Sequence, residues 1–143
     1  MLALRKLLQL PSREAWLLVQ AAVLLPIVHL ALHFISVSSL KDFASGAIHD
    51  PRSTQLRPQA TARLVRVAAR RGLYRSKCLD QSLVLLWLLR QQGIDARIVF
   101  GARKEDGHLQ AHAWVEVDGV TIGEDDGVNH RFTPLEELTQ SSN

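Results

Sequence analysis

Between residues 79 and 92 the apolar positions Leu79, Leu83, Leu86 and Leu89 recur at helical spacing, while Val84, Leu85, Trp87 and Leu88 fill the remaining sides. A helix that is apolar nearly all round has to be buried nearly all round, so other elements must pack about it. It is the expected central helix of the fold. Ser76 offers a side-chain oxygen as its cap, and Gly93 closes it. The chain has 143 residues, enough for one core and too few for a second full domain.

Beyond this helix the chain alternates in a different period. Residues 94–102 and 109–117 read as strands, with a first turn on Lys104, Glu105, Asp106 and Gly107. Asp118-Gly119 is a tight-hairpin signal, and residues 120–122 return as a third strand. The acidic loop Glu124, Asp125, Asp126, Gly127 ends the sheet, and Pro134 is placed to open a short terminal helix. Helices first, then a long helix feeding an antiparallel meander, is an α+β layout.

The N-terminal part is read as an apolar helical segment over residues 1–50, set before a core over residues 51–143. Residues 15–40 contain no Asp, Glu, Lys or Arg, a length sufficient for a bilayer span. Pro26, His29, His33 and Ser36 lie along one side of the helical wheel, and a helix buried against protein accommodates them better than lipid does. Ser12 is the expected cap of this helix, and residues 41–58, with Gly46, Pro51 and Pro58, read as a loop. Pro58 then starts a helix to Arg71, with Arg63, Arg66 and Arg70 on one face and Gly72 as its stop.

Charge is unevenly spread. Residues 1–77 carry a net +9 and residues 78–143 a net −6, which suits paired patches within one fold or the steering of a charged partner. Nucleic acid is not an expected partner, because the basic helix lacks the aromatic side chains or recognised motif that would accompany its charge. One cysteine excludes an intramolecular disulfide framework and any two-thiol zinc site.

That cysteine, Cys78, falls in the first turn of the central helix, where free backbone N–H groups and the positive dipole end stabilise a thiolate. Its candidate partner is His112. In the strand Ala111, Ala113, Val115 and Val117 alternate with His112, Trp114 and Glu116, so the imidazole projects from the face opposite the small and branched residues. If the helix start lies over that face, thiolate and base meet. An orienting carboxylate comes from Glu124, Asp125 or Asp126 at the end of the returning strand. Trp114, beside the base, is a packing residue that in a second reading lines the substrate cleft. His108 and His112 with His130 and Cys78 lack the one-face helical spacing of a metallopeptidase motif, so neither a metal nor another cofactor is expected. His29 and His33, with no carboxylate close in sequence, read as core histidines.

The stretch Lys77-Cys78-Leu79-Asp80-Gln81-Ser82-Leu83, then Gly93, Phe100-Gly101 and Ala111-His112-Ala113-Trp114-Val115-Glu116-Val117-Asp118-Gly119, resembles the transglutaminase-like cysteine peptidases of lasso-peptide maturation, the microcin J25 processing protease family. The resemblance covers residues 55–138. It implies a papain-like, transglutaminase-type core and a cytoplasmic bacterial peptidase that removes the leader from a lasso-peptide precursor. By position it makes Cys78 the nucleophile, His112 the base and Glu124 the third residue, with Asp126 and Asp125 as alternatives in register. Lys77 stands where the family usually has Arg. The resemblance further implies three partners: the precursor peptide, a separate leader-recognition protein and the lasso cyclase. A non-catalytic scaffold, or an adaptor attached peripherally to a membrane through residues 15–40, is the alternative reading.

Overall fold

The computed structural model describes residues 11–46, 57–72, 76–123 and 131–135. Four helices and four strands lie among them: α1 (Ser12–Ala31), α2 (Val37–Ser45), α3 (Pro58–Arg71), α4 (Cys78–Gln91), β1 (Ala96–Glu105), β2 (His108–Val117), β3 (Val120–Ile122) and β4 (Thr133–Pro134). The strands form one antiparallel sheet in the order β3-β2-β1-β4. This is the expected α+β arrangement, a helical layer against a small antiparallel sheet.

Helix α4 is central for the reason its composition requires. Leu83, Val84, Leu85, Leu86, Leu88 and Leu89 are all buried. They meet Leu17, Ala21 and Leu25 of α1, Leu64, Val65 and Ala68 of α3, and Ile98, Ala113, Val115 and Ile122 of the sheet in one core. A polar tie joins two of these helices inside the core, where Gln92 Nε2 donates to Thr61 Oγ1 at 3.2 Å. Both groups are fully buried, so the bond removes the penalty each would otherwise carry.

The start of α4 differs from the sequence expectation. Lys77, in extended conformation, occupies the cap position, and no side-chain hydroxyl fills it. Instead Asp80 reaches back, its Oδ2 accepting the Lys77 backbone N–H at 3.0 Å, the return half of a capping box. Ser76, the expected cap, is held by Gln81, whose Nε2 donates to the Ser76 hydroxyl at 3.1 Å. The far end behaves as read: Ile94 N–H bonds Leu89 O at 3.0 Å and Gly93 N–H bonds Arg90 O at 2.9 Å, with Gly93 at a φ of 76°.

Three other boundaries shift. Ser12 lies inside α1, whose cap is Pro11. Residues 41–45, read as loop, belong to α2, which Ser36 caps by accepting Ser39 N–H at 3.3 Å. A cap at Ser36 had no visible signal because it sits inside the long uncharged run, where only the chain's actual turn at residues 32–35 ends one helix and begins another. Pro134 ends a strand, paired with Gly101, and the helical residue is Leu135 directly after it, with 136–143 outside the described residues. Pro134 sits on the edge strand β4, where its missing N–H costs nothing to the ladder.

The β1–β2 ladder runs without interruption from Ala96↔Val117 to Glu105↔His108. Asp106-Gly107 and Asp118-Gly119 make the two hairpin turns, both residues of each at positive φ, the geometry that matches the twist of the strands they join. The register gives the sheet two chemically distinct faces. Ala96, Ile98, Ala113, Val115 and Ile122 look into the helical core. Arg97, Gly101, His112, Trp114 and Glu116 share the other face.

Candidate active site

Cys78 is the first residue of α4 and half-buried. Its backbone N–H is one of those a helix leaves unpaired at its start, and its thiol sits at the positive end of the helix dipole. Ser82 lies one turn further along the same face of α4, about 6 Å up the axis. Its buried hydroxyl donates to Ala113 O at 2.9 Å. Ala113 is the neighbour of His112 on β2, so the first two turns of α4 are tied to the strand at the residue beside the candidate base.

The route by which this happens differs from the simplest expectation. Helix α4 packs on the Ala113 and Val115 face of the sheet, whereas His112 belongs to the opposite face. The bond from Ser82 nevertheless fixes the second turn of α4 to β2 one residue from His112, although the imidazole lies on the other face. Among the described residues β3 pairs with β2 from Val115 to Val117. Among the described residues no hydrogen bond joins the Cys78 thiol to the His112 ring.

The imidazole is held by aromatic packing. His112 stacks on Phe132 at 5.1 Å between ring centroids and on Trp114 at 6.2 Å. Arg103 lies over the other ring of this group, its guanidinium 4.9 Å from the Phe132 centroid. Trp114 is itself buried and donates its indole N–H to Glu116 Oε1 at 3.0 Å, while Glu116 Oε2 receives Arg97 at 2.7 Å. Trp114 thus forms the floor beneath His112. Gly101, opposite His112 in the ladder, leaves the space this packing needs: a Cβ there would come within 2.6 Å of the Trp114 ring and 3.0 Å of Phe132.

The three candidate acids, Glu124, Asp125 and Asp126, lie outside the described residues, as does His130. The residue just before them is anchored. Gly123 N–H donates to Gln59 Oε1 at 3.0 Å, and Gln59 Nε2 donates to Thr121 O at 3.3 Å. Gln59 thus fixes the end of β3, the strand paired with the one that carries His112.

Sequence reasoning missed the participants that join this site together. Ser82 was recoverable, being four residues after Cys78 and so on its helical face. Phe132 and Asp80 carried no such signal. His29 is not a core histidine: it is half-buried, and its Nδ1 lies 3.1 Å from Asp80 Oδ2, a carboxylate 51 positions away in sequence. His33 is exposed, with its Nδ1 2.9 Å from His29 O.

The family model of the transglutaminase-like superfamily matches residues 15–137. The chain is also similar to the microcin J25-processing protein McjB of Escherichia coli, with 30% identity over 67 residues, which is 47% of this chain and 31% of that relative. The match thus spans under a third of the relative's length. No solved structure matches.

Proposed function

The chain belongs to the transglutaminase-like superfamily, and from that premise we propose that it is a cysteine peptidase which removes the leader from a lasso-peptide precursor. The observation that carries the reading is the 2.9 Å bond from Ser82 to Ala113 O, which ties the start of the Cys78 helix to the strand beside His112. Similarity to a microcin J25-processing protein supports the substrate class.

In this mechanism the Cys78 thiolate, favoured by the α4 dipole, attacks the scissile carbonyl. The Cys78 backbone N–H donates to the developing oxyanion. His112 protonates the leaving amine, the acyl group stays on sulfur, and His112 then takes a proton from the water that hydrolyses the thioester. Glu124, with Asp126 and Asp125 as alternatives, accepts from the other ring nitrogen and fixes the imidazole plane. The stack against Phe132 and Trp114 also restrains that plane.

The working assembly is cytoplasmic and includes the precursor peptide, a separate leader-recognition protein and the cyclase. The outward face of α1 supports the need for a partner: Trp16 and Leu30 are each 63% exposed and Val19, Val23 and Ile27 lie between them at helical spacing. That same face favours, as a second reading, a scaffold or peripheral membrane adaptor that binds precursor and cyclase without cutting.

Precursor cleavage by Cys78→Ala and His112→Ala, measured with the recognition partner present, separates the two. Each substitution is expected to remove nearly all of the rate while the protein stays folded, because nucleophile and base act as one unit. Cleavage by Cys78→Ala at the wild-type rate overturns the peptidase reading and leaves the scaffold.

A further inference from the structure

Two residues beyond Cys78, Asp80 is only 1% exposed, and a carboxylate so placed must have its oxygens engaged. Its Oδ2 has two described partners from different elements. One is the Lys77 backbone N–H at 3.0 Å, directly before Cys78. The other is His29 Nδ1 at 3.1 Å, from the last turn of α1. Cys78 is therefore bracketed: the peptide N–H of the residue before it is bound by the side chain two residues after it, and His29 meets that same carboxylate oxygen.

His29 is in turn fixed where it stands. Its backbone oxygen lies 2.9 Å from His33 Nδ1, and the two rings meet edge to face at 5.2 Å between centroids. The bodies of both helices are packed, with Leu17, Ala21 and Leu25 of α1 in the core that contains α4. Movement of Asp80 would release the Lys77 N–H and loosen the first turn of α4, which is the turn that sets the direction of the thiol and of the Cys78 N–H.

We propose that His29 is a positioning residue for Cys78, acting through Asp80, so that the N-terminal helix is part of the catalytic apparatus. The proposal rests on the peptidase reading above for its consequence in cleavage, and on the geometry alone for its consequence at the thiol. His29 touches neither substrate nor sulfur. Asp80 and Cys78 are two positions apart on a helix and point to different sides, so the effect travels through the backbone of the turn. An imidazole N–H donating to the carboxylate serves this purpose without any change of protonation.

The test compares His29→Ala, His29→Asn and Asp80→Asn in the full chain. Asn keeps an N–H near the place of Nδ1, and Asp80→Asn keeps an acceptor for Lys77 in a side chain of the same shape. Three quantities are read below the unfolding transition: the rate of Cys78 alkylation by iodoacetamide in the native protein, and kcat and KM for precursor cleavage with the recognition partner. His29→Ala is expected to slow alkylation and to lower kcat by roughly tenfold to a hundredfold, the scale of a small misplacement of a reacting group, with KM within about twofold. His29→Asn is expected to restore most of both, and Asp80→Asn to fall between.

A folded His29→Ala protein that alkylates and cleaves at wild-type rates overturns the proposal. So does equal impairment in the Ala and Asn variants. If His29→Ala does not fold, His29→Asn and Asp80→Asn carry the test, and wild-type alkylation in both overturns it. The alkylation rate is independent of the peptidase reading, whose own failure is wild-type cleavage by Cys78→Ala.

Discussion

Helices α1 and α4 are both strongly apolar, and their surroundings could hardly differ more. Helix α4 is enclosed by α1, α2, α3 and the sheet, and Leu83, Leu85, Leu86, Leu88 and Leu89 are all buried. Helix α1 buries one side, Leu17, Ala21 and Leu25, and turns Trp16, Val19, Val23, Ile27 and Leu30 outward. Phe34, just beyond it, is 83% exposed. By length and composition α1 is also able to cross a membrane. The difference teaches that apolarity states a demand for cover without naming what supplies it. For α4 the same chain supplies the cover. For the outer side of α1 the described residues do not.

The comparison is most directly broken by truncating each helix in turn. Leu86→Ala in α4 is expected to cost about 2–5 kcal/mol, the transfer term plus a cavity that close neighbours cannot fill. Val23→Ala on the outer side of α1 is expected to stay within about 0.5 kcal/mol of wild type. Urea unfolding midpoints measure both. A large loss at Val23 would mean that the outer side of α1 is covered within the folded chain, and the contrast between the two helices would collapse.

Gly101→Ala probes the face of the sheet that α4 leaves to His112. Its methyl group would run into Trp114 and Phe132, so a loss of about 1–3 kcal/mol from overpacking is expected. Cleavage should fall by more than that stability loss explains, because the same side chains stack on the imidazole. Unchanged cleavage would separate the aromatic floor from the base.

Ser82→Ala sharpens the contrast from the α4 side. It leaves the buried Ala113 carbonyl without its hydroxyl partner, for an expected loss of about 1–2 kcal/mol. If the tie aligns Cys78 with His112, kcat falls well beyond this while KM holds. Proportionate loss in both would make Ser82 a packing residue only.

The smallest expected effect on stability is on the outer side of α1, where Ile27→Ser and Leu30→Ser should each shift the unfolding free energy by about 0.5 kcal/mol or less. Their effect belongs to association. Loss of binding to the recognition partner would identify the outer side of α1 as a protein interface. Fractionation of the protein expressed with and without that partner tests the rival: membrane association in both cases, resistant to high salt and abolished by these substitutions, would identify lipid as the cover.

Local pattern and tertiary packing contributed different parts of this protein. Periodicity alone places α3 at Pro58 to Arg71 and α4 ahead of a strand meander, because the spacing of side chains along a helix or strand is written directly in residue order. The Asp118-Gly119 turn is legible for the same reason, since few residue pairs accept positive φ twice in succession. Cys78 at a helix start and His112 on the face opposite Ala113 and Val115 are equally local facts. Which face of the sheet α4 covers is not local: both faces carry bulky residues, Trp114 on one and Ile98 on the other, and the choice depends on what the remaining helices leave room for. The bond from Ser82 to Ala113 joins positions 31 residues apart, so it exists only once α4 has packed on the sheet. The contact between His29 and Asp80 joins positions 51 residues apart, and no periodicity relates them. Only the packing of α1 against α4 brings an imidazole to the buried carboxyl group two residues after Cys78, because a buried polar group finds its partner by position in space.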